Sequence, residues 1–294
     1  MRSISIIGIG RVGGALAIAL NDAGYKIDRL IHRGKGAVER VSSRLSPESE
    51  VAELSSVKTI ASDIVLITTA DPDIKLVADQ LIGVLRNQPV VLHTSGSLSS
   101  EILEELSTSG CPTGSMHPLV SISDPVSGSG SFADAYFCVE GEPAAVDTAN
   151  TIVRSLGGKS FSIEPAFKSL YHAAAVTACG HLVALIDMAM EMLVECGIER
   201  ESAKQVLLPL IKSTITNLET QTPEQALTGS FARADVGAFD RHMASMSQHT
   251  PEDIRSIYLL LGERSLDLAE KNGANATDVR RLRESISIAK GKSE

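Results

Sequence analysis

Short apolar runs and helix-like stretches alternate along roughly the first half of the chain. Ser3–Ile7 is a buried-strand run, and residues 27–31, 64–68, 89–93, 113–117 and 136–140 repeat it, with a shorter run at 58–60. Between them, residues 13–23, 73–84, 99–106 and 144–156 carry helical periodicity, and the first of these stops at Gly24. Short apolar strands joined by helices predict a mostly parallel sheet covered on both faces. Residues 121–130, rich in Ser and Gly, read as a mobile loop.

The pattern changes at Pro165. Residues 166–196 are almost free of Gly and Pro, rich in Ala, Leu and Met, and stop at Gly197. A helix of that length spans roughly 45 Å. Helical periodicity continues at 200–218 and 253–271, where Asn272-Gly273 is a stop signal, and no comparable strand pattern follows. The expectation is an α/β domain over residues 1–163 and an all-helical domain over 164–294.

Composition narrows the partners. A chain of 294 residues can bury one large core or two ordinary ones, and 43% apolar with 21% charged residues is a globular balance. A formal charge of −9 argues against nucleic acid and anionic membrane as partners. Aromatic residues make up 3%, with no Trp, so base-stacking platforms are not expected. Cys111, Cys138, Cys179 and Cys196 form no C-x-x-C pair, which speaks against a disulfide framework or a zinc site and for four buried thiols in a reducing cytosol. Met1-Arg2 precedes an apolar stretch as in a signal peptide, but Gly8, Gly10 and Gly13 interrupt it. No run of about 18 uninterrupted apolar residues is present, so no membrane span and a cytoplasmic location are expected.

The turn after the first strand reads Gly8-Ile9-Gly10-Arg11-Val12-Gly13. G-x-G-x-x-G between a strand and a helix is the dinucleotide-binding fingerprint. Its glycines permit a tight turn, close approach of a pyrophosphate and tight helix–strand packing, and the helix N-terminus stabilises the phosphates. The expected architecture is therefore Rossmann-type. NAD specificity normally uses an acid at the end of the second strand. Here Ile31-His32-Arg33-Gly34 has none, and Arg33, with His32 or Lys35, can pair with a 2′-phosphate; Asp28 lies before the strand's apolar end. NADP (NADPH) is the expected cofactor. Thr69-Ala70 and Thr94-Ser95-Gly96 follow two further strands at the carboxyl edge where such sheets bind ligands, and Thr69, Ala70 and Thr94 join the expected cofactor set.

Lys168, Tyr171 and His172, at offsets of three and four, share one helical face, which Ala175 and Cys179 extend with small side chains. A Lys beside a His is a plausible proton-donor pair for a carbonyl or imine receiving hydride, and equally a snorkelling Lys beside a surface His. Lys168 and His172 are the catalytic candidates. Ser95, Gly96, His117, Arg233 and Asp235 are the substrate candidates; His117 precedes Pro118 at a strand end, and Arg233 and Asp235 form a polar cluster in the helical half. No metal is expected, since His181 lies on the opposite helical face from His172.

Taken together, the phosphate loop, His93-Thr94-Ser95-Gly96, His117-Pro118-Leu119, Lys168-x-x-Tyr171-His172 and Leu227-Thr228-Gly229 resemble, in that order, Rossmann-like proteins carrying the DUF2520 domain. That family is similar to β-hydroxyacid dehydrogenases, pyrroline-5-carboxylate reductase and ketopantoate reductase. The resemblance implies an NADP-dependent oxidoreductase acting on a small-molecule substrate, often a homodimer through the helical domain. By similarity Lys168 takes the place of a catalytic Lys and His172 that of an Asn four positions on. Two motifs depart from the pattern. Cys179-Gly180 stands where Asn is usual, and Gly229-Ser230-Phe231-Ala232-Arg233-Ala234-Asp235 where Gly-Pro-x-x-Arg-Gly-Asp is usual. These departures keep a second expectation open, an NADP(H)-binding sensor without turnover.

Overall fold

The computed structural model describes residues 2–32 and 38–291. The chain forms two compact units, Met1–Gly180 and His181–Glu294.

The first unit is built on eight strands: β1 (Ser3–Ile7), β2 (Lys26–His32), β3 (Glu50–Glu53), β4 (Ile64–Ile67), β5 (Val90–His93), β6 (Thr113–Pro118), β7 (Tyr136–Gly141) and β8 (Lys159–Phe161). They lie in the order β3-β2-β1-β4-β5-β6-β7-β8, all pairs parallel except β6 with β7. The helices are α1 (Arg11–Asp22), α2 (Val38–Ser42), α3 (Asp71–Leu81), α4 (Glu104–Thr108) and α5 (Pro143–Ser155). Successive residues of a strand face opposite sides, which explains the unbroken apolar runs. Ile4 and Ile6 of β1 and Ile64 and Leu66 of β4 pack with α1 and α5 on one face. Ile7, Val65 and Ile67 pack with α3 and α4 on the other.

Two expectations need correcting. Residues 58–60 are not a strand: Lys58 and Thr59 are exposed, and only Ile60 is buried, in an isolated bridge to Leu85. The strand lies instead at β3, on the sheet edge, where Glu50 accepts from Arg29 Nε of β2 at 2.7 Å. An edge strand with its side chains in water needs no apolar alternation. Residues 121–130 form a turn tied in place. Asp124 Oδ1 accepts from the amides of Val126 and Ser127, its other oxygen pairs with Arg40, and Pro125 lies over Gly14, where a Cβ would meet its ring at 2.8 Å.

The long helix expected over 166–196 is α6 (Lys168–Glu195), 28 residues. With the turn before it, its most apolar window has a mean hydropathy of 1.7 and is 6% buried. By length and composition it is long and apolar enough to cross a membrane. Isolated Lys, His and Asp residues interrupt its apolar run without removing its average. The two compact units meet inside this helix, at Gly180.

The second unit continues with α7 (Arg200–Thr220), α8 (Pro223–Ala226), α9 (Gly229–Ala232), α10 (Val236–His249), α11 (Glu252–Lys271) and α12 (Ala276–Gly291). Its core joins Phe239, Leu259, Leu266, Val279, Leu282 and Ile286. Among the described residues no strand follows β8. The fold is thus a mostly parallel Rossmann-type sheet with a helical C-terminal region.

Candidate functional site

The loop after β1 folds as its glycines require. Gly8 adopts φ +99°, and a Cβ there would meet the Thr69 amide at 2.8 Å. Its amide donates to Ile31 O at 2.8 Å, and Thr68 Oγ1 donates to its carbonyl at 2.5 Å, binding the loop to β2 and β4. A side chain at Gly13 would collide with Gly8 O and the Thr68 hydroxyl, so that glycine sets the helix–strand spacing. Gly10 differs, because a Cβ there would meet nothing within 4 Å. It opens α1, which has no side-chain cap and no acid in its first turn, so Gly10 and Arg11 lie exposed at the uncompensated positive end of the helix.

Two buried polar atoms flanking this loop lack a hydrogen-bond partner: His32 Nδ1 at the end of β2 and Thr69 Oγ1 just past β4. Buried polar atoms rarely stay unsatisfied, and here both lie at the carboxyl edge on either side of β1. An open glycine, a free helix N-terminus and two orphaned atoms fit a dinucleotide, with Gly8 to Gly13 on the pyrophosphate and His32 and Thr69 toward the riboses. Ala70 caps α3, and the Thr94 amide donates to Ile67 O at 3.1 Å, so both belong to the backbone of the same edge. Asp28 is held away from the strand end by Lys26 at 3.0 Å and Ser62 at 2.9 Å. Arg33 and Lys35 lie outside the described residues.

A second cluster gathers at the ends of β5 and β6 against the first turn of α6. His117 Nδ1 and the Tyr171 hydroxyl are 2.7 Å apart, and the His117 and His172 rings meet edge to face at 5.9 Å. Both imidazoles overhang Gly96, where a Cβ would lie 2.5 Å from His172 Cδ2 and 2.7 Å from His117 Nε2. The absence of a side chain at 96 is what lets them converge. Burial, reinforced by Lys168 and His172, pushes the His117 pKa down to about 4. Burial pushes the Tyr171 phenol up.

Lys168 has a different place from the one its neighbours suggest. Its side chain is 1% exposed, donates to Ser115 Oγ at 2.8 Å and lies 3.7 Å from Glu140 Oε1. Burial lowers its pKa. Glu140 is held in turn by the Ser100 amide and hydroxyl at 3.0 and 2.7 Å, and Ser115 Oγ donates to Ser95 O at 3.4 Å. His93, fully buried, accepts from the Ser95 amide at Nδ1 and donates from Nε2 to Ser99 O at 3.1 Å; burial pushes its pKa down to about 4. Ser97 donates to Asp71 at 2.5 Å.

Ser95, Gly96, His117, Lys168 and His172 are therefore brought together. Arg233 and Asp235 belong to the second unit, where Asp235 caps α10 by accepting from the Ala238 amide at 2.9 Å. Glu140, Ser115 and Asp71 were not anticipated. The one sequence signal for Glu140 is an acid closing an otherwise apolar strand. Among the described residues no three His, Cys, Asp or Glu side chains are placed to hold a metal ion.

The sheet order, the glycine loop and the carboxyl-edge clusters define a Rossmann-like architecture, and residues 1–118 match the Rossmann-like domain model. Residues 135–265 match the model of the domain of unknown function DUF2520. A provisionally assigned NADP oxidoreductase from Bacteroides fragilis superposes with a TM-score of 0.75 at 20% identity, over 90% of this chain and 98% of that one. Protein TM1727 from Thermotoga maritima gives 0.70 at 21%, over 92% and 99%. Pyrroline carboxylate reductase from Plasmodium falciparum, solved with NADP bound, gives 0.53 at 15%, over 91% and 98%. These likenesses are of fold. No curated protein matches the sequence.

Proposed function

We propose that this protein is an NADP-dependent oxidoreductase transferring hydride to or from a small carbonyl, imine or hydroxy compound. The observation that carries the reading is the open Gly10 at the bare N-terminus of α1, flanked by the orphaned His32 Nδ1 and Thr69 Oγ1. When bound, the nicotinamide supplies hydride. The phosphate loop holds the pyrophosphate, the atoms past β2 and β4 bind the riboses, and the groups over Gly96 orient the substrate and manage its proton. Lys168 and His172 act from the first turn of α6, Lys168 by orienting. The decisive experiment is fluorescence titration with NADPH and NADH of the wild type and Arg33→Ala. NADPH should bind at least tenfold more tightly, and Arg33→Ala should erase the difference; equal affinity for the two nucleotides rejects NADP.

One observation favours a second reading, an NADP(H)-binding sensor without turnover. The Lys168 ammonium is sequestered, not free to meet a substrate. A panel of keto acids, imines and hydroxy acids followed by nicotinamide absorbance separates the two, since a sensor oxidises no NADPH with any of them.

The acidic charge fits no nucleic-acid partner; Cys111 and Cys138 are buried, whereas Cys179 and Cys196 are exposed, against the expectation of four buried thiols, and free thiols fit the cytoplasm. Val183, Val206 and Leu210 of the second unit are 57–66% exposed, apolar side chains we assign to a homodimer and not to lipid.

A further inference from the structure

Resting on that reading, we propose that His117 is the group that gives the substrate its proton, that Tyr171 resupplies it, and that the substrate is a carbonyl compound. Lys168 is a positioning residue. Three observations converge on this. The Lys168 ammonium is enclosed by Ser115 and Glu140 and would have to leave its seat to touch anything else. Through Ser115 it reaches the Ser95 carbonyl, so it sets the turn that carries Gly96. His117, by contrast, presents Nε2 over Gly96 while Nδ1 meets the Tyr171 hydroxyl.

Tyr171 keeps its proton because burial raises its pKa, so its hydroxyl donates to Nδ1 and leaves the proton of His117 on Nε2. The groups facing this imidazole are Tyr171, His172 and Lys168, with His93 and Asp71 farther off. A neutral imidazole is a hydrogen-bond donor well suited to polarising a carbonyl. As hydride reaches the carbonyl carbon, the π pair moves to oxygen, and that oxygen takes the proton from Nε2. Nδ1 takes the Tyr171 proton, and the phenolate recovers one from water. An alkoxide is more basic than a phenolate, so the relay runs downhill. An imine nitrogen must be protonated before hydride adds, whereas an imidazole whose Nδ1 is taken up by the Tyr171 hydroxyl offers one Nε2 proton over Gly96, suited to an oxygen that takes it as it gains the π pair.

The tautomer is read directly by nitrogen NMR of histidine-labelled protein saturated with NADPH. The expected result at pH 7 is a neutral His117 carrying its proton on Nε2, shifted toward a mixture in Tyr171→Phe. A proton on Nδ1, or a Tyr171→Phe spectrum unchanged at His117, overturns the relay. Small aldehydes and ketones are then compared with Δ1-pyrrolines as substrates. The expectation is carbonyl reduction that falls about a hundredfold in kcat in His117→Ala, with NADPH affinity unchanged. Turnover of imines alone, or of neither class, overturns the substrate assignment. Failure to bind NADPH overturns the oxidoreductase reading instead, and the tautomer of the unliganded protein still decides the relay.

Discussion

Ala234 lies at φ 48°, with its side chain 2% exposed, between Arg233 and the residue that caps α10. An L-residue in left-handed backbone costs roughly 1–2 kcal/mol, and the sequence pattern this segment resembles has Gly at this position. Ala234→Gly should raise stability by roughly 1 kcal/mol, part of the relief being offset by a lost buried methyl and a freer unfolded chain; the urea midpoint measures it. The missing Gly of the motif is thus felt here as a local strain. At Gly96 the sign is reversed. Gly96→Ala adds a methyl where two imidazoles converge. It should cut kcat at least tenfold while leaving NADPH affinity unchanged, because the phosphate loop is not touched; equal kcat would mean the rings can part.

Among the elements, the turn after β5 has the clearest physical consequence. His93 bridges the Ser95 amide and Ser99 carbonyl as a neutral ring with its pKa pushed down from 6.5 to about 4. The unfolded chain binds this proton below about pH 6.5, the folded one only near pH 4. The stabilisation is therefore complete above pH 6.5 and lost as pH falls toward 4, by on the order of 3 kcal/mol for a fully buried ring. Denaturant midpoints at pH 7.5 and 4.5 should differ accordingly, and the difference should shrink in His93→Asn. The elements readable from sequence share one physical trait. β1 and β4 are enclosed on both faces, so burial wrote an apolar run into them, and Gly8 and Gly13 sit where only glycine fits. The edge strands β3, Glu50-Val51-Ala52-Glu53, and β8, Lys159-Ser160-Phe161, owe their place to hydrogen bonds with a neighbour and carry no such imprint. The same distinction holds in the site. His117, Lys168 and His172 were legible as chemistry at strand ends and on one helical turn. That Lys168 faces inward to Ser115 and Glu140 depends on β6 and β7 lying antiparallel, a pairing that no local pattern encodes.

For the whole molecule, the exposed apolar residues of α6 and α7 decide assembly. If a second copy covers them, sedimentation shows a dimer at micromolar concentration, and Val183→Glu with Leu210→Glu gives a folded monomer. Flotation with lipid vesicles tests the other occupant, and association of the wild type there would identify a lipid-facing surface. One further consequence comes from where the two compact units divide. The seam falls at Gly180, within α6, and not in a Pro- or Gly-rich linker. A nucleotide-binding fragment cut where composition changes, before Pro165, would forfeit Lys168, Tyr171 and His172, leaving His117 without the Tyr171 hydroxyl and Glu140 without the Lys168 ammonium. The two halves therefore cannot be exchanged as modules: any recombinant that joins this sheet to another helical domain must inherit the opening turns of α6 along with the sheet, or it inherits a nucleotide cradle without chemistry.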